Sequence, residues 1–265
     1  MTTVKQPLRD YSKSLGWRKD PLDHRDYYRL AAPSVLKTLP KKVLVPTSKV
    51  LPKKYDQGAL SSCGPTTAAR LCLYRDAVMK GGRDKRVTLP ARLYIYWTTR
   101  YLMGTVWQDS GVENRQMLKA MAKWGYCAEA KFPYNPAAYQ QRPSNALFAE
   151  GRLEMPEYYK VVQAVDQMKA SLAAGNPFVF GFSVFPSMLT AAVERTGIVP
   201  MPGSHERPEG GHDVLIVGYD DATRRFRFDN SWSNAWGMDG SGEIPYDYAA
   251  DPDLASDFWT VASVA

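Results

Sequence analysis

Cysteine is scarce in this chain, with three residues in 265, at positions 63, 72 and 127. An odd count cannot close a fully paired disulfide framework, and the spacing contains no C-x-x-C cluster of the kind that holds structural zinc. Free thiols and a reducing compartment are therefore expected. Long apolar runs are also missing. The first twenty residues carry Lys5, Arg9, Lys13, Arg18 and Lys19 and no apolar stretch of signal-peptide length. The longest apolar run elsewhere, Pro177 to Val184, is interrupted by Gly181 and Ser183 and is too short to span a bilayer. A soluble, cytoplasmic protein without membrane contact is the expectation. There is no internal repeat and no low-complexity segment.

What is present fits an ordinary globular chain. At 45% hydrophobic and 23% charged residues the composition is close to the soluble average, and the length suffices for one large domain or two lobes sharing a cleft. The net charge of +7 is dispersed. Lys41, Lys42, Lys53 and Lys54 lie near the N-terminus, Arg83, Lys85 and Arg86 in a loop, and Arg224, Arg225 and Arg227 in a hairpin. No stacking-aromatic motif accompanies them, so a basic surface is expected rather than a nucleic-acid partner.

Residues 1 to about 50 carry Pro7, Pro21, Pro33, Pro40 and Pro46 and little helical periodicity, which reads as an extended arm over a body. Residues 63–80 have apolar positions at helical spacing, with Gly81-Gly82 as a stop and Cys63 at the N-terminal end. Helices are also predicted over 89–103, 113–124 and 162–174. From Phe178 onward, FVFGFSV, HDVLIVGYD, RFRFDNSW and DFWTVASV are short aromatic and β-branched segments between turns, the signature of strands. Helices first and strands second give an α+β chain with a lobe boundary near residue 155.

A cysteine is a useful nucleophile only as thiolate, which a helix N-terminus and a neighbouring imidazolium both favour. Cys63 has the first feature. In DQGALSSC, Gln57 lies six positions upstream across a turn-prone segment, placing an amide donor and the Cys63 backbone N–H where both can face a developing oxyanion. In GGHDVLIVGYD, His212 precedes a strand-like run, and FDNSWSNAWG comes next, with Asn230 standing 18 positions after the histidine. If those strands pair through DDATRR, Asn230 reaches His212 and fixes its tautomer, with Trp232 covering the bond. Taken singly, each is equally well a packing or turn residue. His24 and His205 read as surface residues.

A glutamine six residues before the cysteine, a histidine 149 positions after it (212 minus 63) and an N-S-W asparagine together resemble the papain family of cysteine peptidases, in its bacterial and viral branch. The likeness runs over roughly 39–262 and includes PARLYIYW, the DSG segment, AKWGYCAEAKFPY and LAAGNPFVFGF, with GWRKDPLDHRDY near the start. It implies a papain-like two-lobed fold, with a helical lobe over about 55–155 and an antiparallel, barrel-like β lobe over about 156–265. The site would lie in the cleft between them, and residues 1–38 would form the N-terminal arm. It further implies nucleophile Cys63, acid/base His212, orienting Asn230 and oxyanion donor Gln57. Shielding by Trp232, substrate-backbone contacts from Ser110 and Gly111, a peptide or protein substrate and no metal or organic cofactor complete the picture.

The chain departs from the family pattern at several points. Gly64-Pro65 replaces the tryptophan after the nucleophile, Ser233 stands where N-S-W-G has glycine, and Asp213, after the histidine, adds charge beside the cleft. The family's disulfides have no counterpart. The 62 residues before the nucleophile are punctuated by proline, so no counterpart of the long helical propeptide is expected, and the arm is expected to cross the cleft and inhibit or to be trimmed, with Asp20 to Tyr27 as the candidate segment. Rival readings are a papain-like amidase or acyl transferase and a catalytically silent binding module. The sequence leaves oligomeric state open.

Overall fold

The computed structural model describes residues 9–45, 54–79 and 89–261; the predicted Gly81-Gly82 stop lies outside them. The chain opens with a 3₁₀ turn, Tyr11–Ser14, and two short strands, β1 (Trp17–Arg18) and β2 (Tyr28–Arg29). Helix α1 (Pro33–Leu36) and strand β3 (Lys42–Leu44) come next. The helical lobe is α2 (Cys63–Met79), α3 (Arg92–Met103), strand β4 (Val112–Glu113), α4 (Asn114–Trp124) and α5 (Asn145–Gly151). The remainder is β5 (Tyr158–Val161), α6 (Val165–Ala173), β6 (Phe178–Val184), α7 (Ala191–Thr196), β7 (Gly210–Asp220), β8 (Arg225–Asp229), β9 (Ser241–Pro245), α8 (Tyr246–Ala250) and β10 (Ala255–Val261). This is the expected α+β arrangement.

The main sheet runs β2-β5-β10-β6-β7-β8-β9, antiparallel except for β2 on β5, with β3 pairing β7. Its central strands are buried on both faces, which is why they read as near-continuous apolar runs. Phe178, Phe180 and Phe182 face one core with Val214, Ile216 and Phe228, while Val179, Leu215 and Val217 face another with α2, α3 and α4 residues such as Leu71, Tyr94 and Met117. The segment read as extended contributes β2 and β3 to this sheet, because Lys42–Leu44 supplies a ladder for the edge of β7. Two predicted helices start late. Pro90 and Ala91 are tied to Ala128 and Cys127 by a bridge, so α3 begins at Arg92, and Val161 closes β5 before α6.

A buried ion cluster pins α2 to β8. The Asp229 carboxylate, 2% exposed, meets Lys54 Nζ at 2.6 Å and Arg70 Nε at 3.0 Å and accepts from Ser241 Oγ. Burial lowers the Lys54 pKa even beside its partner. Asp229→Ala leaves two buried cations without this carboxylate, and a loss of about 3–5 kcal/mol is expected, read as a drop in urea midpoint at unchanged slope.

Candidate active site

Helix α2 begins at Cys63, so the thiol stands where unsatisfied backbone N–H groups cluster. Pro65 falls in the first turn, where a missing N–H costs nothing. Gly64 explains the lost tryptophan. A Cβ there would stand 2.9 Å from Val112 Cγ2 and 3.0 Å from Asp213 Oδ2, so the space is filled from the opposite side. All three cysteines are free and buried, as expected.

His212 lies within β7, opposite Phe182 of β6. Strands β7 and β8 pair as antiparallel neighbours, and Asn230 comes directly after β8. Its Oδ1 lies 2.9 Å from His212 Nε2. Trp232 stacks on the imidazole at 4.5 Å, and Tyr11 stacks in turn on Trp232 at 4.3 Å. His212 Nδ1 is buried without a hydrogen-bond partner. The predicted strand pairing thus brings His212, Asn230 and Trp232 together. Ser233 adopts φ 68°, the left-handed conformation for which glycine is favoured.

Gln57 is fully buried and well held. Its backbone N–H bonds Ser231 O, and its Oε1 accepts from Ser231 Oγ at 2.5 Å. The amide Nε2 donates to Leu60 O at 2.9 Å and to Ser14 O at 2.8 Å. Ser14 belongs to the arm, so an arm carbonyl takes the donor expected to serve an oxyanion.

The crossing segment is Ser14–Trp17, upstream of the 20–27 stretch singled out from sequence. Leu15 packs on Gly210, Gly16 on the Ser61 and Gly111 backbones, and Trp17 on Gly181 and Gly211. Val112 N–H donates to Gly16 O at 2.8 Å, and β1 runs parallel to β4. Gly111, at φ 67°, is the residue a side chain would exclude, whereas the Ser110 hydroxyl turns to Thr105. Asp20 and Asp26 anchor the arm beyond the crossing: Asp26 holds Arg115 at 2.6 Å and Lys160 at 3.1 Å.

Under this cover burial works against charge on both Cys63 and His212. Burial, then Asp213, pushes the Cys63 thiol up, and burial brings the His212 imidazole down to about 4 against a raising bond from Asn230. Asp213 Oδ2 is 4.0 Å from Cys63 Sγ, and its Oδ1 accepts from Asn114 Nδ2 at 2.7 Å. Asn114, Asp257 and Trp17 join the site without having been picked out from the sequence; only the Gly-Trp pair within GWRKDPLDHRDY hinted at one of them.

The sequence profile of papain family cysteine proteases matches residues 108–257. This chain belongs to the papain family. An uncharacterised peptidase C1-like protein of Acanthamoeba polyphaga mimivirus is 35% identical over 218 residues, covering 79% of this chain and 69% of that protein. Among solved structures, xylellain, a cysteine protease from Xylella fastidiosa, is 34% identical with a TM-score of 0.88, covering 99% of this chain and 100% of that one. A procathepsin B from Trypanosoma congolense, 16% identical with a TM-score of 0.71 over 96% of this chain and 88% of that one, shares the papain fold. Family members with this fold are peptidases of the thiol class, and no described helix here is long and apolar enough to cross a membrane.

Proposed function

We propose that the chain is a cysteine endopeptidase with Cys63 as nucleophile, His212 as general acid and base, Asn230 orienting the ring and Gln57 donating to the oxyanion. The observation that carries this reading is the Asn230 Oδ1–His212 Nε2 bond of 2.9 Å, which leaves Nδ1 as the ring nitrogen free for proton exchange, with Cys63 at the start of α2 as the thiol it would serve. In the cycle, the Cys63 proton passes to His212 and the thiolate attacks a peptide carbonyl. The oxyanion takes donors from Gln57 and the Cys63 N–H, and His212 protonates the leaving amine. Water, deprotonated by His212, then cleaves the thioester.

Residues 11–18 act as a built-in cap in this reading. The cap supplies the Ser14 carbonyl to Gln57, covers the thiol with Gly16 and keeps water from the pair, so that neither ion forms while it is seated. The deciding experiment treats the full chain and Cys63→Ala with an epoxysuccinyl peptide under reducing conditions and follows intact mass beside cleavage of an unfolded protein. Addition of one inhibitor and cleavage, both abolished in the variant, is the expected result. A folded wild-type chain that cleaves no peptide under any condition that exposes Cys63 sinks the peptidase reading.

A further inference from the structure

Three carboxyl groups are sealed where the arm meets the body. Asp20 is 8% exposed, Asp257 4% and Asp213 fully buried. Asp20 accepts from Arg115 N–H at 2.9 Å and Trp259 Nε1 at 2.9 Å. Asp257 Oδ2 accepts from the Asp20 backbone N–H at 2.8 Å and Trp17 Nε1 at 3.2 Å, so both of those donors come from the arm. Asn114 Nδ2 links Asp213 to Asp257, donating to Asp213 Oδ1 and to Asp257 O at 3.3 Å.

No described cation forms an ion pair with any of the three. The nearest positive groups are committed elsewhere, since the Arg115 guanidinium and Lys160 ammonium both bind Asp26. Burying carboxylates side by side with neutral donors alone is costly, and protonation removes the cost. Asp257 also sits at φ 61° where the β10 pairing breaks register between Ser256 and Trp259, so the backbone is bent to aim this carboxyl at the arm.

We infer that seating the arm is coupled to proton uptake by the Asp20–Asp257–Asp213 cluster, so that the cleft is closed in acid and opens as the pH rises toward neutral. The inference rests on the reading of Cys63 as the nucleophile the arm covers. Burial, followed by the Asp257 charge, raises the Asp20 carboxyl to about 7, and burial raises Asp257 and Asp213 as well. The seated arm thus binds protons that the open arm releases. The cluster's contribution to seating is full below the ordinary carboxylate value of 3.8 and is lost progressively as the pH climbs through about 7, while His212, held down to about 4 from its ordinary 6.5, works against seating in acid with the opposite sign. Beyond Arg115, Lys160 and Asp26, the titrating neighbours are Cys63 beside Asp213 and His212 next to it in β7, both common to the wild type and the variants compared.

The test is the rate of Cys63 alkylation by iodoacetamide in the full chain and in Asp257→Asn, from pH 5 to 8. Asparagine tolerates the left-handed backbone and keeps an acceptor for Asp20 and Trp17 while removing the like charge. The ratio of wild-type to variant rates cancels the thiol's own titration. It is expected to rise at least tenfold between pH 5 and 8; one proton allows up to about tenfold per pH unit. Asp20→Asn supplies a second, independent ratio should Asp257→Asn fold poorly. Ratios that stay constant across the range, or a Cys63 that resists alkylation at every pH, overturn the inference. Alkylation needs no turnover, so a chain that shows the rising ratio and cleaves no peptide refutes the peptidase reading and leaves this one standing.

Discussion

Gly16→Val is expected to unseat the arm and raise Cys63 alkylation at pH 5 by tens of fold, up to about 100-fold. A Cβ on Gly16 would run into the backbone of Ser61, just before α2, and the Gly16 backbone in turn fills the space a Gly111 side chain would need. Neither neighbour offers a flexible side-chain end that can swing aside. Forcing atoms into such a contact costs about 1–3 kcal/mol, and the parallel β1–β4 pairing is lost with it. The anchors beyond the crossing, Asp26 with Arg115 and Lys160, stay in place, so the fold is not at stake. Cleavage of an unfolded protein should rise in step with alkylation. Unchanged alkylation in a folded Gly16→Val chain would show that these residues do not cap the thiol.

Asn230→Ala is expected to lower kcat by up to about 10⁴-fold, the loss seen when the orienting aspartate of a Ser-His-Asp triad is replaced, with KM little changed. Asn230 Oδ1 is the atom that meets His212 Nε2, and it also accepts from the Ser231 N–H at 2.8 Å, which fixes the amide's direction. Without it the ring loses its preferred tautomer and the bond that favours its charged form, so the imidazole falls further from the neutral range. The thiolate–imidazolium pair then becomes rarer at every pH. Alkylation at a given pH should slow along with kcat, a coupling that a simple loss of stability would not produce. Equal kcat in the folded variant would remove Asn230 from the mechanism.

How much of the site is legible in the sequence depends on where each contact comes from. Near-continuous apolar runs such as FVFGFSV and VLIV declare strands buried on both faces, and the short connection DDATRR forces β7 and β8 to be neighbours, so the meeting of His212 with Asn230 was readable. Cys63 at a helix start was readable from apolar spacing and its flanks. Asp257 was not, because its role depends on a register break in β10 and on an arm more than 230 positions away. Trp17 and Gly16 belong to a segment whose prolines announce extension but not destination. The direction of Gln57's amide was also hidden, since Ser14 O, its partner, becomes visible only once the arm is seated.

In the proposed reading the cap is a tethered ligand, because Gly16 and Cys63 are on one polypeptide, and its hold does not weaken on dilution. A free peptide must outcompete an effective concentration in the millimolar range for short flexible tethers. The apparent KM of the intact chain is then expected to be inflated by the closed fraction, whatever the intrinsic affinity of the cleft. A cut anywhere between the crossing and β3, whose ladder on β7 secures the downstream end, turns that intramolecular competitor into an ordinary dilutable one.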